Sequence, residues 1–165
     1  MLIAINKFLQ LKFKNKEKIL YAKLKIYNYL LKFCENINVE YIKNICNNSK
    51  NKILLYTINS KLDSNYNNEI IGFIIFRIIK NSSSNIKINI LLLGIHRKMR
   101  FYGYGFTLLD EFVNMYKKNK KLEIILLSVK SSIGFYVKNG FTLTNTKLKE
   151  NTETTDDCKI MIKIY

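Results

Sequence analysis

The chain has 165 residues, 48% of them hydrophobic and 13% aromatic, which is enough apolar material to bury a core in one domain. This composition excludes a disordered chain, and no apolar run approaches the roughly 20 residues that cross a bilayer. The net charge of +16 suits a polyanionic ligand. However, Lys, Ile and Asn supply 71 of the 165 residues, so part of that charge reflects a general compositional bias.

The cysteines indicate a reducing compartment, because their number is odd and their spacing is wide. They are Cys34, Cys46 and Cys158. With a single histidine, His96, the usual soft ligands cannot assemble a zinc cluster, and no metal is expected. The first 13 residues are apolar but contain two lysines and no small-residue cleavage site, so they do not resemble a signal peptide. We therefore predict a cytoplasmic location without a membrane partner.

Two helices are predicted before the first long strand. Apolar residues recur at helical spacing from Lys16 to Cys34, namely at Leu20, Leu24, Tyr27, Leu31 and Cys34. A shorter helix is predicted from Val39 to Cys46.

Three strands follow. They run from Lys52 to Ile58, from Glu69 to Ile79 and from Ile86 to Ile95. The second is apolar on both faces, which is typical of a central strand. The polar segment from Asp63 to Asn68 predicts a turn, and the one from Asn81 to Asn85 predicts a hairpin loop.

The second half alternates helices and strands. A stripe of Phe106, Leu109, Val113 and Tyr116 predicts a helix with that face in the core. The remaining elements are a strand from Leu122 to Val129, a short helix from Ser131 to Asn139 that Gly140 ends, and a closing antiparallel pair from Phe141 to Leu148 and from Cys158 to Tyr165. With no repeat and no linker, residues 1–165 are predicted to form a single domain.

The segment from Leu92 to Phe106 carries the strongest functional signal. A strand ends, basic residues follow, and Gly103 and Gly105 open a helix. Glycines allow a tight turn, and the first N–H groups of a helix bind phosphate well. Arg100 adds a planar charged group that suits paired phosphate oxygens. Arginine is rare in this chain, which contains three arginines beside 25 lysines. This loop is therefore predicted to bind a phosphate-bearing ligand.

The usual nucleotide loops fit poorly. A dinucleotide fingerprint requires a third glycine where this chain has Leu108, and no Gly-Lys-Ser/Thr is present. Instead, Arg100, Gly103 and Gly105 resemble the Arg/Gln-x-x-Gly-x-Gly/Ala pattern of the GNAT superfamily of N-acetyltransferases. His96 also stands where that family often has histidine.

A later segment strengthens the resemblance. The family's Ala-x-x-Phe/Leu-Tyr-x-Lys-x-Gly-Phe pattern is matched by Phe135, Tyr136, Lys138, Gly140 and Phe141, while Ser132 replaces the usual alanine. The resemblance covers residues 69–165, and residues 1–50 match only in being helical. It implies an α+β fold with a mixed, mostly antiparallel central sheet, splayed central strands and flanking helices.

The resemblance also implies acetyl-CoA as co-substrate and a set of site residues. The pantetheine arm would enter between the strands Ile86 to Ile95 and Leu122 to Val129, and the loop would hold the pyrophosphate. The implied cofactor-binding residues are Leu93, Gly94, Ile95, Arg100, Phe101, Tyr102, Gly103, Tyr104, Gly105 and Ser132. Tyr136 would protonate the leaving thiolate, and acetyl would pass directly to an amine without a covalent enzyme intermediate.

Several alternatives remain open from the sequence. No acid lies between Ile86 and Ile95, so the general base is Glu69 acting through water, His96, or water alone. The positive charge favours an anionic amine over a lysine-rich tail, while acyl donors longer than acetyl stay open. A catalytically weak basic module that binds nucleic acid is the competing function. The predicted oligomeric state is a monomer or a homodimer.

Overall fold

In a computed structural model, the structure describes residues 2–5, 27–31, 33, 37–58, 70–118, 120–144 and 158–165. The strands are β1 (Leu2–Ala4), β2 (Lys52–Thr57), β3 (Ile70–Asn81), β4 (Asn85–Ile95), β5 (Lys121–Val129), β6 (Thr142–Leu143) and β7 (Cys158–Ile164). The helices are α1 (Val39–Asn47), α2 (Tyr104–Lys117) and α3 (Ile133–Lys138). Short 3-10 turns occupy Arg97–Met99 and Lys130–Ser132.

The seven strands form one sheet in the order β1-β2-β3-β4-β5-β7-β6. The pairs β1–β2, β2–β3, β5–β7 and β6–β7 are antiparallel, and β4–β5 is parallel. The parallel register runs from Asn85 opposite Lys121 to Ile90 opposite Leu126 and ends there, although both strands continue. The mixed, mostly antiparallel α+β fold is therefore confirmed, and the splay of the central strands stays a prediction.

Most predicted elements in the described residues are confirmed to within one or two residues. β1 was missed, because Leu2–Ala4 is a three-residue strand within a longer apolar segment that shows no alternation. Of the first predicted helix, residues 27–31 are helical and the rest lies outside the described residues. The predicted turn from Asp63 to Asn68, residue Glu69 and the segment 145–148 also lie outside them.

The structure divides into two compact units, residues Met1–Phe76 with Leu92–Val113, and residues Arg77–Leu91 with Asn114–Tyr165. The first unit contains the most deeply buried strand segment, since every residue from Ile70 to Phe76 is buried. β3 and β4 approach closely there. A side chain at Gly94 would meet the Phe73 ring at 2.5 Å, and one at Gly72 would meet Ile95 at 2.6 Å. These two glycines are required by packing.

The helix α2 shows where the predicted core was wrong. Phe106 was expected in the buried stripe, but its side chain is 57% exposed. The buried residues are Leu108, Leu109, Phe112 and Val113. Phe106 lies in the first turn at the edge of this face, whereas Phe112 packs edge-on against Phe76 with ring centroids 4.9 Å apart. The buried face of α2 therefore begins at Leu108, two residues after the predicted start at Phe106.

The second unit is held by the long β5–β7 ladder, which pairs Glu123 with Ile164 through to Val129 with Cys158. Lys87 and Glu123 lie opposite each other in the parallel register and form an ion pair of 2.8 Å. Because both side chains are about one-third exposed, this pair contributes to register more than to stability.

Within the described residues, no helix is long and apolar enough to span a membrane. The same residues contain no cluster of three or more potential metal ligands. Cys46 is buried and Cys158 is half-buried, and neither forms a disulfide bond with a described residue. The cytoplasmic location and the single domain stay predictions.

Candidate active site

The predicted phosphate loop is a continuous strand, turn and helix within the first unit. β4 ends at Ile95, a 3-10 turn covers Arg97–Met99, and α2 begins at Tyr104. Phe101 and Gly103 both have positive φ angles, of 70° and 80°. These left-handed angles bend the backbone tightly between Phe101 and Gly103, and α2 starts at the next residue.

Arg100 has a structural role that the sequence did not indicate. Its Nε donates to the Ile95 carbonyl at 3.2 Å, and its Nη2 donates to the Phe33 carbonyl at 3.1 Å. The guanidinium therefore ties the loop to the end of β4 and to residue 33, as well as placing a positive charge in the loop. The carbonyl of Ile95, one of the residues predicted to bind the co-substrate, thus already accepts one hydrogen bond.

His96 is integrated into the same support. Its Nδ1 accepts a hydrogen bond from the Lys98 backbone N–H at 3.3 Å, and its backbone N–H donates to Ile71. Its ring meets Phe33 edge-on, with centroids 5.1 Å apart. These contacts favour the interpretation of His96 as a residue that shapes the end of β4.

The backbone N–H groups in the glycine-containing part of the loop have no hydrogen-bond partner among the described residues. Among the described residues, none of the six consecutive N–H groups from Phe101 to Phe106 donates a hydrogen bond within the chain. The first backbone bond of α2 runs from Thr107 to the Gly103 carbonyl. A side chain at Gly103 would meet nothing within 4 Å, so space above the loop is open. Unsatisfied donors at an open helix N-terminus form an anion-binding site.

The charge of the loop agrees with this role. Residues 85–106 contain no acid, and Arg97 and Lys98 are exposed just before the turn. The positive end of the α2 dipole points into the same region. A diphosphate therefore fits the residues present, through backbone donors first and side-chain charge second. Of the predicted cofactor residues, the chain from Leu93 to Gly105 is brought together here; Leu93 is half-buried, and Gly94 and Ile95 are buried.

Tyr136 and Ser132 belong to the second unit. Tyr136 lies on α3, is only 8% exposed, and packs edge-on against Phe135 and Phe141 with centroids 5.0 and 5.6 Å away. Its hydroxyl makes no hydrogen bond with any described residue. Burial raises the pKa of Tyr136 to about 12, so the phenol keeps its proton at neutral pH. Ser132 is half-buried at the start of α3 and makes no capping hydrogen bond.

A second polar group in the first unit was missed by sequence reasoning. Glu111 of α2 accepts a hydrogen bond from the Leu2 backbone N–H at 3.1 Å and is hydrogen-bonded to Tyr56. Burial, followed by the charge of Glu111, raises the pKa of the Tyr56 hydroxyl. The only available signal was an acid next to the apolar face of α2. Its contacts indicate a structural role, since they fasten β1 and β2 to α2.

A family model described as the acetyltransferase (GNAT) family matches residues 55–141, which is more than half of the chain. No curated protein matches the chain in sequence.

Solved structures share the fold. GCN5 from Tetrahymena is 19% identical, with a TM-score of 0.64 over 88% of this chain and 87% of that chain. Arabidopsis thaliana Naa50, in complex with the bisubstrate analogue CoA-Ac-MVNAL, is 25% identical, with a TM-score of 0.54 over 90% and 93% of the two chains. PaiA N-acetyltransferase from Thermoplasma acidophilum, in complex with coenzyme A, is 21% identical, with a TM-score of 0.56 over 88% and 94%. Together with the family match, this likeness in fold establishes that the chain belongs to the acetyltransferase (GNAT) family.

Proposed function

We propose that the protein is an N-acetyltransferase that moves acetyl from acetyl-CoA directly to a primary amine. The observation that carries this proposal is the row of six unsatisfied N–H groups from Phe101 to Phe106, in an open loop without acids. These donors, assisted by the α2 dipole, hold the pyrophosphate. Family membership and the coenzyme complexes of similar structures support the identity of this ligand.

Acetyl-CoA supplies an activated thioester carbonyl, and the chain supplies binding and a proton. The amine nitrogen bonds to the carbonyl carbon as the carbon–sulfur bond breaks. The Tyr136 hydroxyl donates its proton to the departing sulfur, and the amine loses a proton to water. The Tyr136 hydroxyl is buried and has no hydrogen bond to any described residue, which supports this assignment because such groups are rare outside functional sites.

The charge favours an anionic acceptor. The chain carries 28 basic and 12 acidic residues, so a lysine-rich tail would be repelled and an acidic peptide N-terminus would be attracted. Initial rates with an acidic and a lysine-rich peptide, matched in length and N-terminal residue, compare the two classes. Equal or faster acetylation of the lysine-rich peptide would exclude this preference.

The loop assignment is tested by calorimetric titration with acetyl-CoA, beside ATP and NAD as competing phosphate ligands. The informative variant is Phe106→Glu. Phe106 is exposed at the third position of α2, where a glutamate stabilises a helix start and occupies its free N–H groups. Phe106→Gln is the matched neutral control. We expect Phe106→Glu to keep or raise the melting temperature and to weaken acetyl-CoA binding by about 10-fold or more relative to Phe106→Gln.

Two results would contradict the proposal. A folded wild-type protein that does not bind acetyl-CoA would favour the basic binding module, which a salt-dependent affinity for nucleic acid would identify. Equal acetyl-CoA affinity of the Glu and Gln variants would exclude the start of α2 as the pyrophosphate site.

A further inference from the structure

Phe101 is an apolar side chain that the fold does not use. Its side chain is fully exposed, with a relative accessibility of 104%. Among the described residues, its ring contacts no other ring and no cation. The neighbouring Tyr102 is also exposed, but its ring faces that of Tyr104 at 6.5 Å. Phe101 therefore contributes no burial to folding, where a polar residue is expected at an exposed turn.

The backbone conformation of Phe101 is also unfavourable for an aromatic residue. Its φ angle of 70° lies in the left-handed region, which Gly and Asn adopt far more readily than an aromatic residue. The residue before it, Arg100, is anchored to the Ile95 and Phe33 carbonyls, so the loop cannot easily relax this angle. An exposed ring in a disfavoured conformation indicates a role in binding.

The surroundings specify the chemistry of the ligand. The ring projects from the same turn that presents the unsatisfied N–H groups and the exposed Arg97 and Lys98. A ligand that uses all of these features carries phosphates and a flat aromatic group. We propose that the Phe101 ring is a stacking platform for the adenine base of acetyl-CoA. This inference rests on the proposed function, and it adds recognition of the nucleotide end of the co-substrate.

The test uses two variants of the full chain. Phe101→Asn removes the ring and keeps the backbone, because asparagine tolerates the positive φ, and Phe101→Trp keeps a larger ring at the same place. Base stacking predicts that Phe101→Asn weakens acetyl-CoA binding by roughly 5- to 100-fold, whereas Phe101→Trp retains it. Phe101→Asn should meanwhile hold or raise the melting temperature, which separates lost stacking from lost folding.

A truncated ligand locates the effect. S-acetyl-4′-phosphopantetheine keeps the thioester and one phosphate but lacks adenosine, so Phe101→Asn should bind it as the wild type does. Equal loss for both ligands would overturn the inference, since it would mean that the ring only shapes the loop. Unchanged acetyl-CoA binding by Phe101→Asn would overturn it as well, and a parallel loss of affinity for a single-stranded oligonucleotide would then assign the ring to nucleic acid. If the wild type binds no acetyl-CoA, the proposed function itself fails.

Discussion

Two turns of this protein contain a glycine with nearly the same positive φ, but they differ in whether their backbone N–H groups have hydrogen-bond partners. Gly103 has φ of 80° in the loop before α2, and Gly140 has φ of 78° in the turn after α3. Around Gly140 the backbone donors are satisfied, since the N–H groups of Asn139, Gly140 and Phe141 all return to carbonyls of α3. Around Gly103 none is satisfied within the described residues.

Carbonyl groups are satisfied at both turns, by Thr107 at Gly103 and by a lysine side chain next to Gly140. Lys163 donates to the Asn139 carbonyl at 2.6 Å and closes the end of α3, where a cation also suits the helix dipole. Its Nζ lies 4.3 Å from the centre of the Tyr165 ring. The turn at Gly140 is therefore part of the scaffold, and it fixes Tyr136 because Phe141 donates to the Tyr136 carbonyl. The turn at Gly103 is braced by Arg100, and its N–H groups from Phe101 to Phe106 have no partner among the described residues, so they are available to a ligand.

The largest expected effect is on the group that the scaffold turn positions. Tyr136→Phe removes only the hydroxyl and keeps the packing against Phe135 and Phe141. Because a positioned general acid contributes about 10²-fold or more, we expect kcat to fall by that factor, with little change in KM for acetyl-CoA. Steady-state kinetics on any accepted amine measure this. Full activity of a folded Tyr136→Phe protein would reduce Tyr136 to a packed aromatic residue.

The comparison of the two turns is tested directly by adding one methyl group to each. In Gly140→Ala, the positive φ and the Lys163 side chain 3.1 Å from the new carbon should lower the free energy of unfolding by about 1–2 kcal/mol. Acetyl-CoA affinity should stay within about 2-fold, because the turn at Gly140 offers no unpaired N–H group to a phosphate. Urea unfolding and calorimetry measure the two quantities.

In Gly103→Ala the pattern should be reversed. Nothing surrounds the new methyl group, so the loop can relax its φ angle at a cost below about 1 kcal/mol. That relaxation turns the N–H groups away, and acetyl-CoA affinity should fall by about 10-fold. Gly134→Ala is the control, because it also meets nothing within 4 Å but has no positive φ and lies in a helix. If Gly103→Ala and Gly140→Ala changed the unfolding free energy and the acetyl-CoA affinity in the same way, the two turns would not differ in function.

The sequence predicted both turns for local reasons. A glycine after a short helical stripe marks a helix end, and two glycines after a strand mark a helix start, so each signal lies within a few residues. The strands β2 to β5 were predicted equally well, because apolar runs and polar breaks are local too. β1 escaped because three residues are too few to show a period.

The difference between the turns was not predictable from the sequence. Arg100 bonds to Phe33, 67 residues away, and Lys163 bonds to Asn139, 24 residues away. Neither partner has a sequence signature, since each acceptor is a backbone carbonyl that every residue carries. The sequence thus identified Arg100 as a charge for phosphate, and only the structure revealed that two of its donors already brace the loop.

The smallest expected effect concerns alkaline pH, and it separates packing at the scaffold turn from chemistry. Burial raises the pKa of Tyr136 from 10.0 to about 12 in the folded protein. Ionisation of this phenol therefore costs no stability below pH 10, and stability is lost as the pH rises from 10 towards 12, where only the unfolded chain ionises. At pH 11 this loss amounts to about 1 kcal/mol, and Tyr136→Phe lacks it.

The measurement is the difference in unfolding free energy between wild type and variant at pH 8 and at pH 11. The other tyrosines and the lysines titrate equally in both proteins and cancel. A difference that does not change with pH would mean that water reaches the hydroxyl, so that the scaffold turn does not seal Tyr136 as its contacts with Phe135 and Phe141 indicate.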